Sequence, residues 1–141
     1  MSLGSEKKHI GNDINIGDAV ENKTYNSRYI GNNYEALAAE YLEGNNYTIL
    51  ARNFRVRAGE IDIVAQKDGY IVFVEVKYRS NMHTGVPEES VDVRKRRQIS
   101  KVALYFLNKY GYGIDIPMRF DVITVTKKEI RHIENAFDYI N

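Results

Sequence analysis

Two alternating segments joined by Asp68-Gly69 constrain the fold of this chain more than any other feature of its sequence. The segments run from Ile61 to Ala65 and from Tyr70 to Tyr78, and both are rich in residues that favour β-strands. An Asp-Gly pair between two such segments is a strong signal for a tight turn. The sequence therefore predicts an antiparallel hairpin in the middle of the chain.

Elements on both sides of the hairpin extend this prediction to a whole domain. Helical spacing of apolar residues from Gly31 predicts a helix that ends at Gly44 and Asn45, and a β-rich segment follows from Tyr47 to Phe54. After the hairpin we expect a loop, a long helix and one or two strands, at Arg79 to Pro87, about Glu88 or Asp92 to Tyr110, Arg119 to Thr126, and Ile130 to Ile133. The order αβββαβ predicts an α/β fold in which helices pack on a mixed sheet.

The size and composition are those of one globular domain, with 141 residues of which 43% are hydrophobic and 28% charged. Residues 1–28 are polar and keep no helical or strand period, so we expect a flexible N-terminal arm there and a single domain over residues 29–141. No apolar segment approaches the roughly 20 residues that span a bilayer, and residues 1–28 lack the apolar core of a signal peptide. We therefore expect a cytoplasmic protein without membrane association.

Charge and cysteine content exclude several classes of site. Twenty basic and nineteen acidic side chains leave a net charge of +1, so a nucleic-acid site would have to come from local clustering. The absence of cysteine excludes disulfides, thiolate zinc sites, iron–sulfur clusters and cysteine nucleophiles. His9, His83 and His132 share no ligand spacing, so we expect surface residues rather than a histidine metal site.

Eleven tyrosines and no tryptophan raise the question of base stacking. Four of the tyrosines lie on or beside the apolar faces of the predicted helices: Tyr34, Tyr41, Tyr105 and Tyr110. That position favours packing in the core over contact with a base.

Alternation along the two hairpin strands separates charged from apolar side chains. Each strand carries its charged residues on one face, with Glu60, Asp62 and Val64 on the first strand and Phe73, Glu75 and Lys77 on the second. Ile61 and Ile63 share the opposite face of the first strand. Antiparallel pairing can then bring Asp62, Glu75 and Lys77 together.

Asp62, Glu75 and Lys77 would form a carboxylate pair with an ammonium group on strands that otherwise have core character. Charged groups in such positions are costly unless something compensates them, and a divalent cation would do so. Mg²⁺ prefers oxygen ligands and is often held by one or two carboxylates with waters and a substrate phosphate. The alternative is the solvated face of an antiparallel sheet, on which Glu75 and Lys77 take part in cross-strand pairs.

The first helix offers a further acid. At 100° per residue, Glu35 lies about 92° from the centre of the apolar face, Glu40 about 128° and Glu43 about 172°. Glu35 is therefore at the rim of the buried face and can reach toward the sheet, whereas Glu43 is expected to be solvated. An ordinary boundary glutamate is the alternative.

The second helix carries a basic cluster, which consists of Arg94, Lys95, Arg96, Arg97 and Lys101. Lys95 continues the apolar stripe of this helix by one turn, so it is expected to point at the sheet. Phosphate contact is the obvious use of this cluster, Lys95 included, and a solvated helix face is the alternative. Three arginines before the Gly59 turn would extend the basic surface: Arg52, Arg55 and Arg57.

Several motifs follow one another from about Gly31 to Val125. They are Gly31-x3-Glu35-x2-Ala38-x2-Tyr41-Leu42, Arg52-Asn53-Phe54-Arg55, Gly59-Glu60-Ile61-Asp62, Phe73-Val74-Glu75-Val76-Lys77-x-Arg79, Gly85-x-Pro87, Lys95 and Arg119-Phe120-Asp121-Val122. In order and spacing they resemble the uncharacterised bacterial YraN-like family, UPF0102. That family looks like a branch of the PD-(D/E)XK nuclease superfamily and is similar in pattern to archaeal Holliday-junction resolvases. The resemblance implies a restriction-endonuclease-like core.

The resemblance also implies roles for individual residues. The acid from the first helix would be Glu35, the metal-binding aspartate Asp62, and the Glu-x-Lys pair Glu75 with Lys77. The main-chain carbonyl of Val76 would be a further ligand of Mg²⁺ or Mn²⁺. Two positions depart from the pattern, since Ile61 stands where the superfamily name has proline and Thr84 precedes Gly85 where relatives often carry an aromatic residue.

The activity implied is metal-dependent endonucleolytic hydrolysis of phosphodiester bonds in DNA, with branched or junction DNA as one candidate substrate and RNA as an alternative partner. Lys77 would orient a water or offset charge on the phosphate. Arg79 would contact the nucleic-acid backbone or form a hydrogen bond within its own loop. Nucleases of this class often act as homodimers. A nucleic-acid-binding accessory protein without turnover is the alternative function, and a structural domain with a solvated charged face is a third.

Overall fold

The computed structural model describes residues 8–12, 27–80, 91–113 and 115–141, with the backbone alone for residues 8–12 and 27–32. Within these ranges there are two helices, α1 (Ser27–Gly44) and α2 (Val93–Lys109). The same ranges contain the strands β1 (Lys8–Asn12), β2 (Thr48–Val56), β3 (Gly59–Lys67), β4 (Tyr70–Tyr78), β5 (Met118–Val125) and β6 (Ile130–Phe137).

The described strands form one mixed sheet with the order β1-β6-β5-β4-β3-β2. The pair β4 and β5 is parallel, and each of the other neighbouring pairs is antiparallel. α2 lies in the chain between the two parallel strands, because a parallel pair needs a long crossover connection. The predicted α/β class is therefore confirmed, and the arrangement is consistent with a restriction-endonuclease-like core.

The sheet separates two apolar layers, one under each helix. The layer under α1 includes Tyr34, Ala38, Tyr41, Leu42, Ile63, Val74, Ile123 and Val125. The layer under α2 includes Phe54, Ile61, Val64, Phe73, Ile99, Phe106, Leu107 and Phe120. Because the helices cover opposite faces, a gap between neighbouring strands is a place where polar groups from both helices can meet.

The turn of the predicted hairpin has the backbone that its sequence requires. Asp68 has a φ of 52° and Gly69 a φ of 82°, so both central residues are left-handed. This is the geometry of a two-residue turn whose twist matches that of the strands. The predicted hairpin is confirmed, with Lys67 paired to Tyr70 directly before and after the turn.

α2 begins and ends at residues with defined capping roles. Asp92 is the N-cap, and its Oδ1 accepts the Lys95 main-chain N–H at 2.8 Å. At the other end Gly111 has a φ of 75°, a conformation that glycine adopts without strain. Of the two predicted starts Asp92 is the one observed, and Glu88 lies outside the described residues, as does most of the predicted loop from Arg79 to Pro87.

The N-terminal region departs from the prediction of a flexible arm over residues 1–28. Residues 8–12 form β1, which pairs antiparallel with β6 from Lys8 with Glu134 to Asn12 with Ile130. Main-chain bonds to a formed strand can order a short segment that has no apolar period of its own, which is why the sequence did not indicate this strand. α1 also starts earlier than predicted, at Ser27. Residues 1–7 and 13–26 lie outside the described part.

The helix surfaces correct one prediction about tyrosine. Tyr34 and Tyr41 are buried as expected, but Tyr105 and Tyr110 on and after α2 are 54% and 52% exposed. The prediction of core packing is therefore wrong for Tyr105. The Tyr110 ring lies 4.7 Å from the ring of buried Phe106, so it packs at the border of the core with its outer side exposed. In the described part of the chain, neither helix has the length and apolar character needed to cross a membrane.

A buried charge network fastens α1 to β5 and β6. Asp121 Oδ2 lies 2.7 Å from His132 Nε2, and Arg119 donates from Nε and Nη2 to the same carboxylate at 2.8 Å each. The Tyr41 hydroxyl from α1 lies 3.1 Å from His132 Nδ1. His132 is 1% exposed, so the prediction that it is a surface residue is wrong. Polar partners on three elements allow this histidine to be buried.

Burial alone would raise the pKa of Asp121, but the hydrogen bonds and charges of His132 and Arg119 outweigh it and hold that pKa below its usual value. The Asn135 main-chain N–H also donates to Asp121 Oδ1 at 2.9 Å. The network is therefore a satisfied buried ionic cluster that belongs to the core.

Candidate functional site

The hairpin strands β3 and β4 separate at Asp62. Their ladder runs from the turn as far as the pair Ile63 and Val74, although both strands continue past it. Beyond that pair, the Val76 main-chain N–H donates to Asp62 Oδ2 at 2.8 Å. The Asp62 carboxylate thus takes the place of a ladder partner, and a gap opens between the strands.

The strict alternation predicted for β3 fails next to Asp62. Ile61 packs in the layer under α2, whereas Ile63 packs in the layer under α1. The prediction that these two side chains share one face is therefore wrong. Asp62 lies between them and meets the edge of β4 at the Val76 N–H.

Glu75 and Lys77 lie beside this gap on β4, on the face that Phe73 shares with α2. Glu75 is only 9% exposed, and its Oε1 lies 3.7 Å from Lys77 Nζ. Burial raises the pKa of Glu75 to about 7, and the charge of Asp62 adds to the rise, while Lys95 and Lys77 oppose it. The carboxylate is thus short of positive charge.

α1 brings Glu35 to the gap from the opposite face of the sheet. The Glu35 carboxyl is hydrogen-bonded to Asp62, and burial together with the charge of Asp62 raises the pKa of Glu35 to about 7. Glu60 raises that pKa further and Arg52 lowers it. Burial likewise raises the pKa of Asp62, although the Val76 N–H and the bond from Glu35 oppose the rise. The two carboxyl groups therefore share a proton more readily than both lose one.

Lys95 is the contribution of α2 to this site. Its positive charge lowers the pKa of both Asp62 and Glu75, although burial and neighbouring acids leave both pKa values raised. The side chain is half-buried, in keeping with the predicted orientation toward the sheet. The structure thus brings Glu35, Asp62, Glu75, Lys77 and Lys95 together from two strands and two helices.

The predicted phosphate-binding arginines fall into two groups. Arg94 and Arg97 on α2 and Arg57 before Gly59 are exposed, and Arg79 is half-buried after β4. Others have partners within the protein. Arg55 bonds Glu60 Oε2 at 2.8 Å, and Arg52 lies close enough to Glu35 to lower its pKa.

Arg96 is also engaged by the protein itself. Its Nε donates to the Val91 main-chain oxygen at 2.7 Å, and its guanidinium lies 5.6 Å from the centre of the Phe137 ring. These contacts direct Arg96 toward the C-terminal strand rather than along the exposed line of Arg94 and Arg97. The four consecutive basic residues are therefore not equivalent.

Two residues of this site, Asn53 and Glu60, were not predicted to be functional. With its amide oriented so that the nitrogen faces the acids, Asn53 on β2 donates to Glu35 Oε2 at 2.9 Å and to Glu60 Oε1 at 3.1 Å. Asn53 and Glu60 both occur in motifs of the sequence, but a lone asparagine or glutamate in a strand carries no recognisable spacing. Only the tertiary arrangement joins them to Glu35.

The donor set has the chemistry that a hard divalent cation requires. Among the described residues no three His, Cys, Asp or Glu side chains form a group that could hold a metal ion, so waters and main-chain oxygens would have to complete a site. The N–H and C=O of one strand residue point to the same edge, so the Val76 carbonyl faces the gap with the N–H that Asp62 accepts. Two carboxylates and a carbonyl, all oxygen donors, fit Mg²⁺ or Mn²⁺.

A buried hydroxyl beside the site is also short of a partner. Thr124 on β5 pairs with Lys77 in the parallel ladder. Its Oγ1 is buried, and the described residues supply no hydrogen-bond partner for it. An orphaned hydroxyl of this kind calls for a water or ligand group. Because Thr124 lies beside Lys77, a water or ligand group bound by Lys77 could also bond this hydroxyl.

Comparison with known proteins places these residues in a family. The sequence model of the uncharacterised protein family UPF0102 matches residues 34–125, which include Glu35, Asp62 and Glu75. A UPF0102 protein of Lachnoclostridium phytofermentans is 50% identical over 113 residues, which cover 80% of this chain and 96% of that protein. A UPF0102 protein of Geobacter metallireducens is 49% identical over 116 residues, with 79% and 94% covered. One of Geotalea uraniireducens is 44% identical over 126 residues, with 86% and 94% covered.

Proposed function

This chain belongs to the UPF0102 family, and we propose that it is a metal-dependent nuclease that hydrolyses phosphodiester bonds of DNA. One observation carries the proposal. Glu35, Asp62 and Glu75 converge where β3 and β4 separate, and all three have raised pKa values because they are buried close to one another. Carboxylates held together in this way favour the arrival of a cation.

Asp62, Glu75 and the Val76 carbonyl would hold a divalent cation, with Glu35 reaching it through water or through Asp62. When bound, Mg²⁺ or Mn²⁺ supplies Lewis-acid polarisation of a phosphate oxygen and a more acidic water. The chain supplies the orientation of these donors. Asp62 is fixed by the Val76 N–H, and Glu75 by Lys77.

The remaining groups of the site would manage protons and charge. Glu35, with a pKa of about 7, can accept a proton from an attacking water at neutral pH and release it again. Lys77 carries three donors beside Glu75 and would orient that water or bond the phosphate. Lys95 would stabilise the charge that develops on the phosphate in the transition state.

The exposed arginines support a polyanionic substrate. Arg94 and Arg97 are exposed on the helix that carries Lys95, where they would contact phosphates outside the site. Contacts of this kind neutralise phosphates without reading sequence. We propose DNA, and branched or junction DNA in particular, as the substrate, with cleavage by a homodimer in keeping with two-stranded substrates.

A cleavage assay tests the proposal. The protein is incubated with four substrates, which are linear DNA, single-stranded DNA, four-way-junction DNA and RNA. Each is tested in Mg²⁺, in Mn²⁺ and in EDTA. Asp62→Asn keeps an oxygen that can accept the Val76 N–H. We expect cleavage to fall by about 100-fold or more, because a charged ligand of the cation that would stabilise the transition state is lost. Glu43→Gln, an exposed acid of α1, is the matched control and should cleave like the unaltered chain. Equal cleavage by Asp62→Asn would contradict the proposal.

A specific observation keeps a second function in view. Lys77 and Lys95 already offset part of the charge of the acids, so the site could contact phosphate without a cation. A protein of this kind would bind DNA and turn over nothing. Tight binding to junction DNA, with no cleavage in either metal and no heat of Mn²⁺ binding by calorimetry, would favour this accessory role over the nuclease.

The arginines are tested through the salt dependence of binding. Replacing Arg94 and Arg97 together by alanine should weaken DNA binding and reduce the slope of log K against log salt by about 2, because two phosphate contacts are lost. Arg96→Ala is the matched control, since Arg96 bonds Val91 and lies over Phe137. An unchanged slope in the double variant would remove this face of α2 from the interface.

A further inference from the structure

We propose that Asn53 is a positioning residue of this site, whose side-chain amide holds Glu35 and Glu60 in fixed places beside Asp62. The inference rests on the proposed function, because the arrangement that the amide prepares is one for binding a cation. It gives a role to the central residue of the motif Arg52-Asn53-Phe54.

The backbone of Asn53 is the first observation. Its φ is 52°, in the left-handed region that residues other than glycine rarely adopt, and it lies inside a strand. Arg52 pairs with Ile63 and Phe54 pairs with Ile61, so Asn53 stands opposite Asp62. Such a conformation persists only where the surrounding contacts hold it, and it is common at functional sites.

The amide of Asn53 is the second, independent observation. Its nitrogen donates to Glu35 Oε2 at 2.9 Å and to Glu60 Oε1 at 3.1 Å, so both amide hydrogens are used on acids. Arg55 bonds the other oxygen of Glu60, Oε2, from Nε and from Nη2. Glu60 is therefore held by two residues of β2, and Glu35 is held between Asn53 and Asp62.

A neutral donor suits this place better than a cationic one. Arg55 already bonds Glu60, and the charge of Arg52 already lowers the pKa of Glu35. A lysine or arginine at position 53 would therefore add a third positive charge and oppose a divalent cation nearby. The asparagine amide orients both carboxylates and adds no charge of its own. Donors of this kind behind metal-binding groups typically change metal affinity or activity by about 10- to 100-fold when they are removed.

The left-handed backbone determines which side chains can do this. Glycine adopts the same φ without strain but has no amide to donate. Alanine has neither the conformational freedom nor the donor. Asparagine is the residue that both tolerates the left-handed region and carries two hydrogens at the required reach.

Calorimetric titration with Mn²⁺ tests the inference on the full chain. Asn53→Gly should fold normally, because glycine relieves the strain, yet bind Mn²⁺ about 10-fold more weakly or worse. Asn46→Gly is the matched control, since Asn46 is an exposed left-handed asparagine (φ 68°) after α1. We expect the control to bind Mn²⁺ like the unaltered chain. Unchanged affinity in Asn53→Gly overturns the inference.

A second readout needs no metal and no cleavage. The urea midpoints of Asn53→Gly, Glu35→Ala and the double variant are compared in EDTA, so that the coupling between the two side chains is measured directly. If the amide holds Glu35, the shift of the double variant differs from the sum of the two single shifts. Additive shifts overturn the inference. If the unaltered chain binds no Mn²⁺, the proposed function fails, while this cycle still decides whether Asn53 holds Glu35.

Discussion

Two aspartates of the same sheet, Asp121 on β5 and Asp62 on β3, have opposite surroundings. Asp121 is fully buried among donors from His132, Arg119 and the Asn135 main chain, and its pKa is lowered. Asp62 has one main-chain donor and lies among other acids, and burial raises its pKa. The first acid is satisfied by the chain itself, whereas the charge of Lys95 only partly offsets the burial of the second. Buried charge therefore indicates function only where the protein has not already paired it.

The largest effect that separates the two is expected from Asp121→Ala. This substitution leaves buried His132 and half-buried Arg119 without their common partner, so the free energy of unfolding at pH 7 should fall by about 3 to 5 kcal/mol. Urea unfolding followed by circular dichroism measures it. Asp138→Ala, at an exposed aspartate, is the control and should change stability little. A loss below 1 kcal/mol would show that the network contributes no more than a surface pair.

Asp62→Asn should give the opposite result for stability. The substitution removes a charge from among Glu35, Glu60 and Glu75, so the free energy of unfolding at pH 8 in EDTA should be no lower than that of the unaltered chain. Mn²⁺ affinity, measured by calorimetry, should fall by about 100-fold. A variant that loses stability and keeps its Mn²⁺ affinity would show that Asp62, like Asp121, stabilises the fold and does not bind the cation.

The pH dependence of stability should distinguish the sites in sign. The pKa of Glu75 is about 7 in the folded protein against an ordinary value of 4.5, so below pH 4.5 the acid is protonated in both states. As the pH rises from 4.5 to 7, the unfolded chain gives up this proton while the folded chain still holds it. The rise in pH therefore favours the unfolded chain, and stability is lost until the folded chain has released its proton as well. Asp121, with a lowered pKa, loses its stabilising effect as the pH falls.

Glu75→Gln isolates this contribution. In EDTA its advantage in unfolding free energy over the unaltered chain should grow by about 2 kcal/mol between pH 5 and pH 8, because the variant has no proton to lose. The comparison of urea midpoints at the two pH values measures the difference, and Glu43→Gln should show none. An advantage that is equal at both pH values would mean that Glu75 is not destabilised by burial.

A third aspartate gives the smallest effect. Asp92 is exposed and caps α2 through the Lys95 N–H. Asp92→Ala should lower the free energy of unfolding by about 1 kcal/mol, the usual value of an N-cap. The loss should depend little on the groups around Asp62 or around Asp121. Urea unfolding checks it, and Asp92→Asn should restore most of the loss because its side-chain oxygen can also accept the bond. A loss comparable to that of Asp121→Ala would show that α2 depends on this cap far more than helices usually do.

Local patterns were sufficient to predict most of the fold. The Asp68-Gly69 turn, the apolar stripes of α1 and α2, and the strands on either side of them depend on short-range sequence, and the structure has them within a few residues. β1 was not predicted because its order comes from pairing with β6 rather than from its own five residues. Tertiary partners of this kind leave no period in the sequence.

The site divides in the same way. Glu35, Asp62, Glu75 and Lys77 could be proposed from spacing and from the family resemblance, and the structure brings them together. Asn53 could not, because its role depends on a left-handed backbone opposite Asp62. His132 was misplaced because spacing cannot reveal that Asp121 and Tyr41 would surround it.

The parallel pairing of β4 with β5 has a consequence for the order in which this chain folds. The hairpin β3–β4 forms between neighbouring residues, but Ile71 meets Met118 only after a connection of roughly fifty residues has closed, which is a slower event. We therefore expect the strands that carry Asp62 and Glu75 to pair while their carboxylates are still hydrated. The acids then lose their water last, when β5 and α2 dock, so the docking step bears the cost of crowding them together.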